Sequence, residues 1–331
     1  MRLPLSLRNT TADILAAMVS RRIAITTAVA MLGRQGASAK ASQPATRPNF
    51  DVPAHACDCH THIFGDPKEF PFSPERRYTP ELALPAEMAA LHRTLHIERV
   101  VIVTPSVYGT DNSATLYGMK ARGATASGVA VIDERTTDRD LGAMAKAGFR
   151  GIRLNLATGG VTDPAIARQR FQFAVRRMKT LGWHIQIFSS LEVVSGIKEL
   201  VLDSPVPVVF DHFGGAEAAR WTTQAGVGDL LNLLKSGKAY VKISAAYRAS
   251  KQAPGYTDVA PLAAALIAAN PERILWGTDW PHPNSTLPVG SVAPLLQIDD
   301  GRLLNNLAVW APDKAILKKI LVDNPAGLYG F

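Results

Sequence analysis

Short apolar runs alternate with longer amphipathic segments along most of the chain. From residue 54 onward, eight runs of three to five residues are rich in apolar and β-branched side chains, as expected for strands buried on both faces. These predicted strands are residues 56–60, 100–103, 128–131, 151–155, 184–188, 206–210, 240–243 and 274–276. Helical patterns separate them, including Pro85–Leu95, 165–181 and 261–269. The alternation predicts an α/β fold in which a parallel sheet closes into a single-domain (β/α)8 TIM barrel.

The helix predicted at 165–181 has clear signals at both ends. Asp163 and Pro164 precede it as an N-cap and a first-turn proline, and Gly182 follows it as a C-terminal stop. An open doubly wound sheet is the alternative fold. It is disfavoured because no Gly-x-Gly-x-x-Gly motif follows the first predicted strand.

Residues 1–49 have the pattern of a leader rather than of the barrel, which we assign to residues 50–331. Arg21 and Arg22 precede a mildly apolar run, and the small residues 37–39 offer a cleavage site. A polar, proline-containing stretch then follows. The pattern is typical of a twin-arginine export signal followed by a linker and predicts a periplasmic protein, with a cytoplasmic one as the alternative.

Composition and charge exclude several classes of protein. The 331 residues are 47% hydrophobic and 19% charged, and no run is long and apolar enough to predict a membrane span. The net charge of +8 is spread along the chain, which argues against nucleic acid as a partner and is compatible with a small anionic substrate. Cys57 and Cys59, the two cysteines of the chain, exclude a disulfide scaffold and are expected to be buried. The pattern leaves the oligomeric state open.

Polar residues follow three of the predicted strands, at the barrel end where TIM-barrel chemistry lies. His60 and His62 end the first strand on one face, His212 follows the sixth and Asp279 the eighth. Imidazoles can bind a metal or polarise a carbonyl, and a carboxylate can act as a base. We expect partial desolvation to raise the pKa of Asp279. His92, on the first helix, is expected to be incidental.

These residues in this order resemble the amidohydrolase superfamily, and more closely its 2-pyrone-4,6-dicarboxylate lactonase branch. Further matching stretches are 70–79, 106–112, 150–153, 241–248, 276–282 and 323–326, so the resemblance covers about residue 54 to the end. It implies a hydrolase that opens a carboxylate-bearing lactone. Asp279 would activate water, and His60, His62 and His212 would polarise the ring carbonyl.

The resemblance also implies residues that bind the substrate. Tyr78 and Ser106 would hydrogen-bond it, and Arg153 and Arg248 would bind its carboxylates, for which a guanidinium is suited. The branch carries another arginine after the fourth strand, but residues 155–160 contain none. We therefore expect a substrate with one carboxylate or a differently placed one, such as a sugar-acid lactone.

Three other functions use the same scaffold. A galactarate-type lactone isomerase would use the same carbonyl activation, a metal-dependent decarboxylase would need a tightly bound metal, and a binding protein would need no Asp279. His60, His62 and Asp279 could together hold a single zinc ion. We expect no required cofactor, with one zinc as the alternative, because a lactone needs less electrophilic help than an amide.

Overall fold

A computed structural model describes residues 41–284 and 292–331, and eight parallel strands lie there in one sheet in chain order. The strands are β1 (Cys57–Thr61), β2 (Arg99–Val103), β3 (Ala126–Ala130), β4 (Phe149–Asn155), β5 (His184–Phe188), β6 (Val208–Phe210), β7 (Ala239–Ser244) and β8 (Ile274–Gly277). The predicted (β/α)8 barrel is confirmed. The predicted export signal falls mostly on residues outside the described ranges and stays a prediction.

Helices follow the strands and cover the outside of the sheet. They are α1 (Pro85–Leu95), α2 (Ser113–Arg122), α3 (Asp138–Lys146), α4 (Pro164–Met178), α5 (Leu191–Leu202), α6 (Val227–Lys235), α7 (Ala246–Ala249), α8 (Ala260–Ala269), α9 (Asp300–Trp310), α10 (Lys314–Lys318) and α11 (Asn324–Tyr329). A π-helical segment, Lys319–Asp323, joins the last two. The α4 helix begins as predicted, with the Asp163 side chain accepting from the amide of Ala165. None of the helices within the described residues is long and apolar enough to cross a membrane.

The barrel closes through a seam between β1 and β8. The amide of Asp279 donates to the carbonyl of His60 at 2.9 Å, and the amide of His62 donates to the carbonyl of Trp280 at 2.8 Å. Both bonds lie at the C-terminal ends of the two strands. Closure therefore brings the histidines of the first strand beside the residues that follow the last.

A β-bulge in β1 sets which side chains face the barrel interior. Asp58 pairs with Val100 and Thr61 with Ile102, so three residues of β1 span two of β2. Cys57 and Cys59 pack in the apolar interior cluster, both as free thiols. Because these cysteines face inward, strict alternation would point His60 and His62 outward. The extra residue of the bulge turns both histidines into the barrel instead.

The Asp58 carboxylate ties this bulge to the end of β8. Its Oδ1 accepts from the amides of His60 at 3.1 Å and Thr278 at 3.0 Å. Its Oδ2 accepts from the Thr278 hydroxyl at 2.6 Å and lies 3.2 Å from Nε2 of His92. His92 is fully buried in this contact, so its expected incidental role is wrong. One buried carboxylate thus joins both strands of the seam to α1.

Residues 41–49, expected to be linker, make specific contacts with the barrel. The Ser42 carbonyl accepts from the indole of Trp280 at 3.1 Å, and the amide of Thr46 donates to Asp299 at 3.2 Å. Ala41 is 1% exposed. The Asn305 side chain of α9 bonds to the carbonyl of Arg47 and the amide of Asn49, so the segment lies against α9.

We predict that Gly277→Ala lowers the free energy of unfolding by about 1–3 kcal/mol, since overpacking a filled site costs this much. A Cβ at Gly277 would lie 2.8 Å from the amide nitrogen of His60 and 2.9 Å from its Cβ, so the seam would have to open. Urea unfolding measures the change. Gly142→Ala is the matched control, because its Cβ would meet nothing within 4 Å in the helix α3. Equal stabilities for the two variants would contradict the tight seam.

Candidate active site

Three imidazoles converge on one carboxylate oxygen at the C-terminal mouth of the barrel. Oδ1 of Asp279 lies 3.6 Å from Nε2 of His60, 3.4 Å from Nε2 of His62 and 3.7 Å from Nε2 of His212. All four residues are buried. The structure therefore brings together the four residues that the sequence predicted as catalytic.

The other oxygen of the same carboxylate is held by two donors. Oδ2 of Asp279 accepts from the hydroxyl of Tyr247 at 2.6 Å and from Nε of Arg248 at 3.0 Å. Burial alone would raise the pKa of Asp279, but the Arg248 guanidinium outweighs it and holds that pKa well below its usual value. The expected raised pKa is wrong, because the sequence did not show these partners. Asp279 is an anion at neutral pH.

Each imidazole is also fixed through its second nitrogen. Nδ1 of His62 donates to the carbonyl of Val103 at 2.7 Å, so a neutral His62 has its lone pair on Nε2. Nδ1 of His212 lies 2.9 Å from the hydroxyl of Ser244. Burial lowers the pKa of His212 to about 3, so this ring is neutral at pH 7.

His60 contacts a buried lysine on its second nitrogen. Nδ1 of His60 lies 3.2 Å from Nζ of Lys242 and 3.2 Å from Oδ1 of Asp211. Burial, followed by the nearby Lys242 charge, holds the pKa of His60 well below its usual value. The imidazole is therefore neutral.

Asp211 is the anion at the centre of a hydrogen-bonded group beneath the histidines. Its Oδ2 accepts from Nε of Arg153 at 2.9 Å and from the Gln186 amide at 3.0 Å. Lys242 donates to the Gln186 carbonyl oxygen at 2.7 Å. Burial alone would raise the pKa of Asp211, but the Lys242 and Arg153 cations outweigh it and place that pKa well below its usual value. Asp211 is therefore an anion inside the barrel, where its cationic partners compensate its charge.

An inner cavity opens onto the reactive groups and onto the predicted binding residues. The residues that line it include His62, His212, Asp279, Tyr78, Ser106, Arg153, Arg248, Thr158 and Phe188. It continues into an outer cavity of about 440 Å³ that also contacts Tyr247 and Leu296. All four predicted substrate-binding residues thus lie at the same cavity as Asp279.

Two guanidinium groups flank one aromatic ring at this cavity. The Cζ atoms of Arg153 and Arg248 lie 5.1 Å and 5.8 Å from the centre of the Phe188 ring. Burial raises the pKa of the nearby Tyr78 to about 12, so its hydroxyl is protonated and can donate a hydrogen bond. The cavity thus offers two cations and a phenol to an anionic ligand.

Sequence reasoning missed several residues of the site. Lys242 and Gln186 lie at interior positions of apolar strands, where a polar residue is itself a signal of function or of a buried network. Asp211 directly precedes His212 and was not singled out. Tyr247 lies on the short helix α7, and its ring packs edge-on against His282 at 5.5 Å. Its contact with Asp279 joins residues 32 apart in sequence and leaves no local pattern.

The imidazoles and carboxylates form two sets at metal-ligand distances within the described residues. One set is His60, His62 and Asp279, and the other is His60, Asp211 and His212. Nitrogen and carboxylate donors of this kind suit zinc, but each set includes His60. The Lys242 amine occupies the lone pair of Nδ1 of His60 and thereby places the imidazole proton on Nε2, so neither ring nitrogen of His60 offers a lone pair to an ion. As hydrogen-bonded here, neither set fits a metal ion.

Comparisons with known proteins agree with the geometry. A sequence model of the amidohydrolase family matches residues 57–331. The chain is 34% identical to a 2-pyrone-4,6-dicarboxylate hydrolase of Comamonas testosteroni, over 86% of this chain and 93% of that protein. It is 30% identical to a D-galactarolactone isomerase of Agrobacterium fabrum, over 86% and 94%. A crystal structure of a putative 2-pyrone-4,6-dicarboxylic acid hydrolase from Pseudomonas putida superposes with a TM-score of 0.69 at 27% identity, covering 84% of this chain and 98% of that one.

We predict that Arg153→Met lowers the free energy of unfolding by about 3 kcal/mol at pH 7, because it removes a partner of the buried Asp211 anion. A carboxylate with a depressed pKa contributes stability above its unfolded pKa of about 3.9 and loses it as the pH falls. The difference from the unsubstituted protein should therefore shrink below about pH 4, measured by urea unfolding at several pH values.

Arg135→Met is the control for this variant, since Arg135 pairs with Asp133 while its own side chain is 86% exposed. No measurable change is expected there. An Arg153→Met effect that is equally small, or that grows as the pH falls, would contradict the buried charge network.

Proposed function

The chain belongs to the amidohydrolase family, and we propose that it is a lactonase that opens a carboxylate-bearing lactone by attack of water on the ring carbonyl. One observation carries the proposal. A buried, anionic Asp279 faces three imidazoles through Oδ1, at a cavity flanked by Arg153 and Arg248. A base, hydrogen-bonding groups and an anion site thus meet at one place.

Asp279 acts as the general base in this proposal. Because Oδ2 is occupied by Tyr247 and Arg248, Oδ1 is the oxygen that receives a proton from water. The water oxygen bonds to the carbonyl carbon, and the bond from that carbon to the ring oxygen then breaks. The proton passes from Asp279 to the departing ring oxygen, which gives a hydroxy acid and restores the carboxylate.

The histidines divide their roles by position. His212 lines the cavity, where an N–H on its Nε2 can stabilise the negative charge that develops on the carbonyl oxygen. His62 lines the same cavity, and the lone pair on Nε2 of the neutral ring can accept a hydrogen bond from the attacking water. His60 is fully buried, with its ring centre 5.0 Å from that of His62 and 4.7 Å from that of His212. We therefore assign His60 to holding Asp279 and the other two rings in place, rather than to direct contact with the carbonyl.

Charge supports an anionic substrate. Among the described residues of the site, the cations Arg153, Arg248 and Lys242 stand against the anions Asp211 and Asp279, which leaves one net positive charge. Two guanidiniums at the cavity can form charge-assisted bonds with a carboxylate. Tyr78 and Ser106 would then hydrogen-bond the rest of the ring. We propose a lactone with one carboxylate or a sugar-acid lactone, because residues 155–160 contain no arginine.

A lactone isomerase is the second candidate. The similarity to a D-galactarolactone isomerase favours it, because the same carbonyl activation would transfer the acyl group between hydroxyls of the substrate. The two reactions differ in product: hydrolysis releases an acid, and isomerisation keeps a ring.

A pH-indicator assay of the full chain tests the proposal. The panel holds 2-pyrone-4,6-dicarboxylate, aldonolactones and aldarolactones, each with and without a chelator. We expect a carboxylated lactone to release acid both without and with the chelator. A rearranged ring without acid release, seen by product NMR, would establish the isomerase instead. Unchanged substrates under every condition would contradict both.

We predict that Asp279→Asn lowers kcat by about 10²–10⁴-fold, because an amide cannot accept the proton of water. Steady-state kinetics on the lactone found in the screen measures the loss, and circular dichroism confirms that the variant is folded. Asp133→Asn is the control, since Asp133 pairs with Arg135 away from the cavity-lining residues. Near-normal kcat in Asp279→Asn would remove this residue from the base role.

A further inference from the structure

We propose that Lys242 is a positioning residue that places the proton of His60 on Nε2 and thereby keeps the candidate active site from binding a metal ion. This inference concerns the same site as the proposed lactonase function and rests on that function. The hydrogen-bond geometry itself does not depend on the substrate.

Two groups compete for Nδ1 of His60, and only one of them bonds to it. Nζ of Lys242 lies 3.2 Å away in hydrogen-bonding geometry. Oδ1 of Asp211 is also 3.2 Å away, but it forms no hydrogen bond with any residue that the structure describes. An ammonium group can only donate, so Nδ1 accepts. A neutral imidazole that accepts at Nδ1 has its proton on Nε2.

The position of Nε2 makes this proton useful. Nε2 of His60 is buried and has no hydrogen-bond partner among residues 41–284 and 292–331. Oδ1 of Asp279 lies 3.6 Å from this nitrogen. An N–H directed at this anion attracts it, whereas a lone pair would repel it. The proton on Nε2 therefore helps to hold Asp279 as an anion.

The same proton excludes a metal. Zinc binds imidazole through a nitrogen lone pair, and a three-residue protein site is the usual minimum for catalysis. In the set of His60, His62 and Asp279, Nε2 of His60 faces the carboxylate, so a proton there leaves two ligands. In the set of His60, Asp211 and His212, the carboxylate faces Nδ1 of His60, whose lone pair accepts from Lys242. To bind the ion, His60 would have to move its proton to Nδ1, against the Lys242 amine.

Asp211 would allow His60 to change its tautomer if Lys242 were replaced. Without Lys242, the nearest group to Nδ1 is Oδ1 of Asp211, which can accept a proton from it. Such a bond would free the Nε2 lone pair and complete the set of His60, His62 and Asp279. Lys242 is itself held in place by Gln186, whose carbonyl oxygen accepts from Nζ at 2.7 Å. The identity of one residue on β7 thus decides between two tautomers.

Zinc affinity of the full chain is the first test, measured by competition with a chromophoric chelator. Lys242→Met should bind zinc about 10-fold or more tightly than the unsubstituted protein, the scale on which partners of metal ligands act. Asp211→Asn is the contrasting control: it weakens the competing acceptor and keeps Lys242, so its affinity should not rise. Equal affinity in Lys242→Met and the unsubstituted protein would overturn the proposal.

The tautomer itself is the second test and is read on the unsubstituted protein. Nitrogen-15 NMR of the histidine-labelled, chelator-treated protein reports which ring nitrogen carries the proton, and His60→Gln identifies the signals. We expect the proton of His60 on Nε2. A proton on Nδ1 in the unsubstituted protein would overturn the proposal. Neither test uses a lactone, so failure of the lactonase assay would leave both results valid.

Discussion

The seam between β1 and β8 is the constraint on which the rest of the site depends. The Asp58 carboxylate bonds to the amides of His60 and Thr278, and Gly277 lets the two backbones approach. The bulge in β1 turns its histidines into the barrel, and the backbone bonds across the seam bring Asp279 beside them. Asp279 has a positive φ of 68°, a conformation that needs such support. The backbone geometry of the seam and the buried Asp58 carboxylate thus position the reactive groups before any substrate binds.

Charge compensation explains why this buried site remains ionic. Asp211 and Asp279 each keep a depressed pKa because the Lys242, Arg153 and Arg248 cations lie beside them. Burial holds the pKa of His60 and His212 low, so these rings are neutral. The net positive charge that remains suits an anionic substrate, and the neutral rings suit donation of hydrogen bonds. Binding and catalysis therefore draw on the same arrangement of charges.

The sequence predicted the parts of the molecule that have a local period. Eight apolar runs gave the strands, and the ends of those runs gave His60, His62, His212 and Asp279 as residues that share one mouth of the barrel. The bulge was beyond prediction, because one extra residue leaves no trace in hydrophobicity. The partners of Asp58 and the pKa of Asp279 depend on contacts between distant segments, such as the one with Arg248. Lys242 could have been noticed as a charge within an apolar strand, but its contact with His60 spans 182 residues.

Direct attack by water is the central claim, and isotope transfer in a single turnover tests it most directly. Enzyme in excess over the lactone identified by the acid-release assay would react in water enriched in oxygen-18, followed by mass spectrometry of the product and of the peptide that contains Asp279. The account predicts one labelled oxygen in the product carboxylate and none in Asp279. A product without the label, or label in the Asp279 peptide, would contradict water activation by this carboxylate.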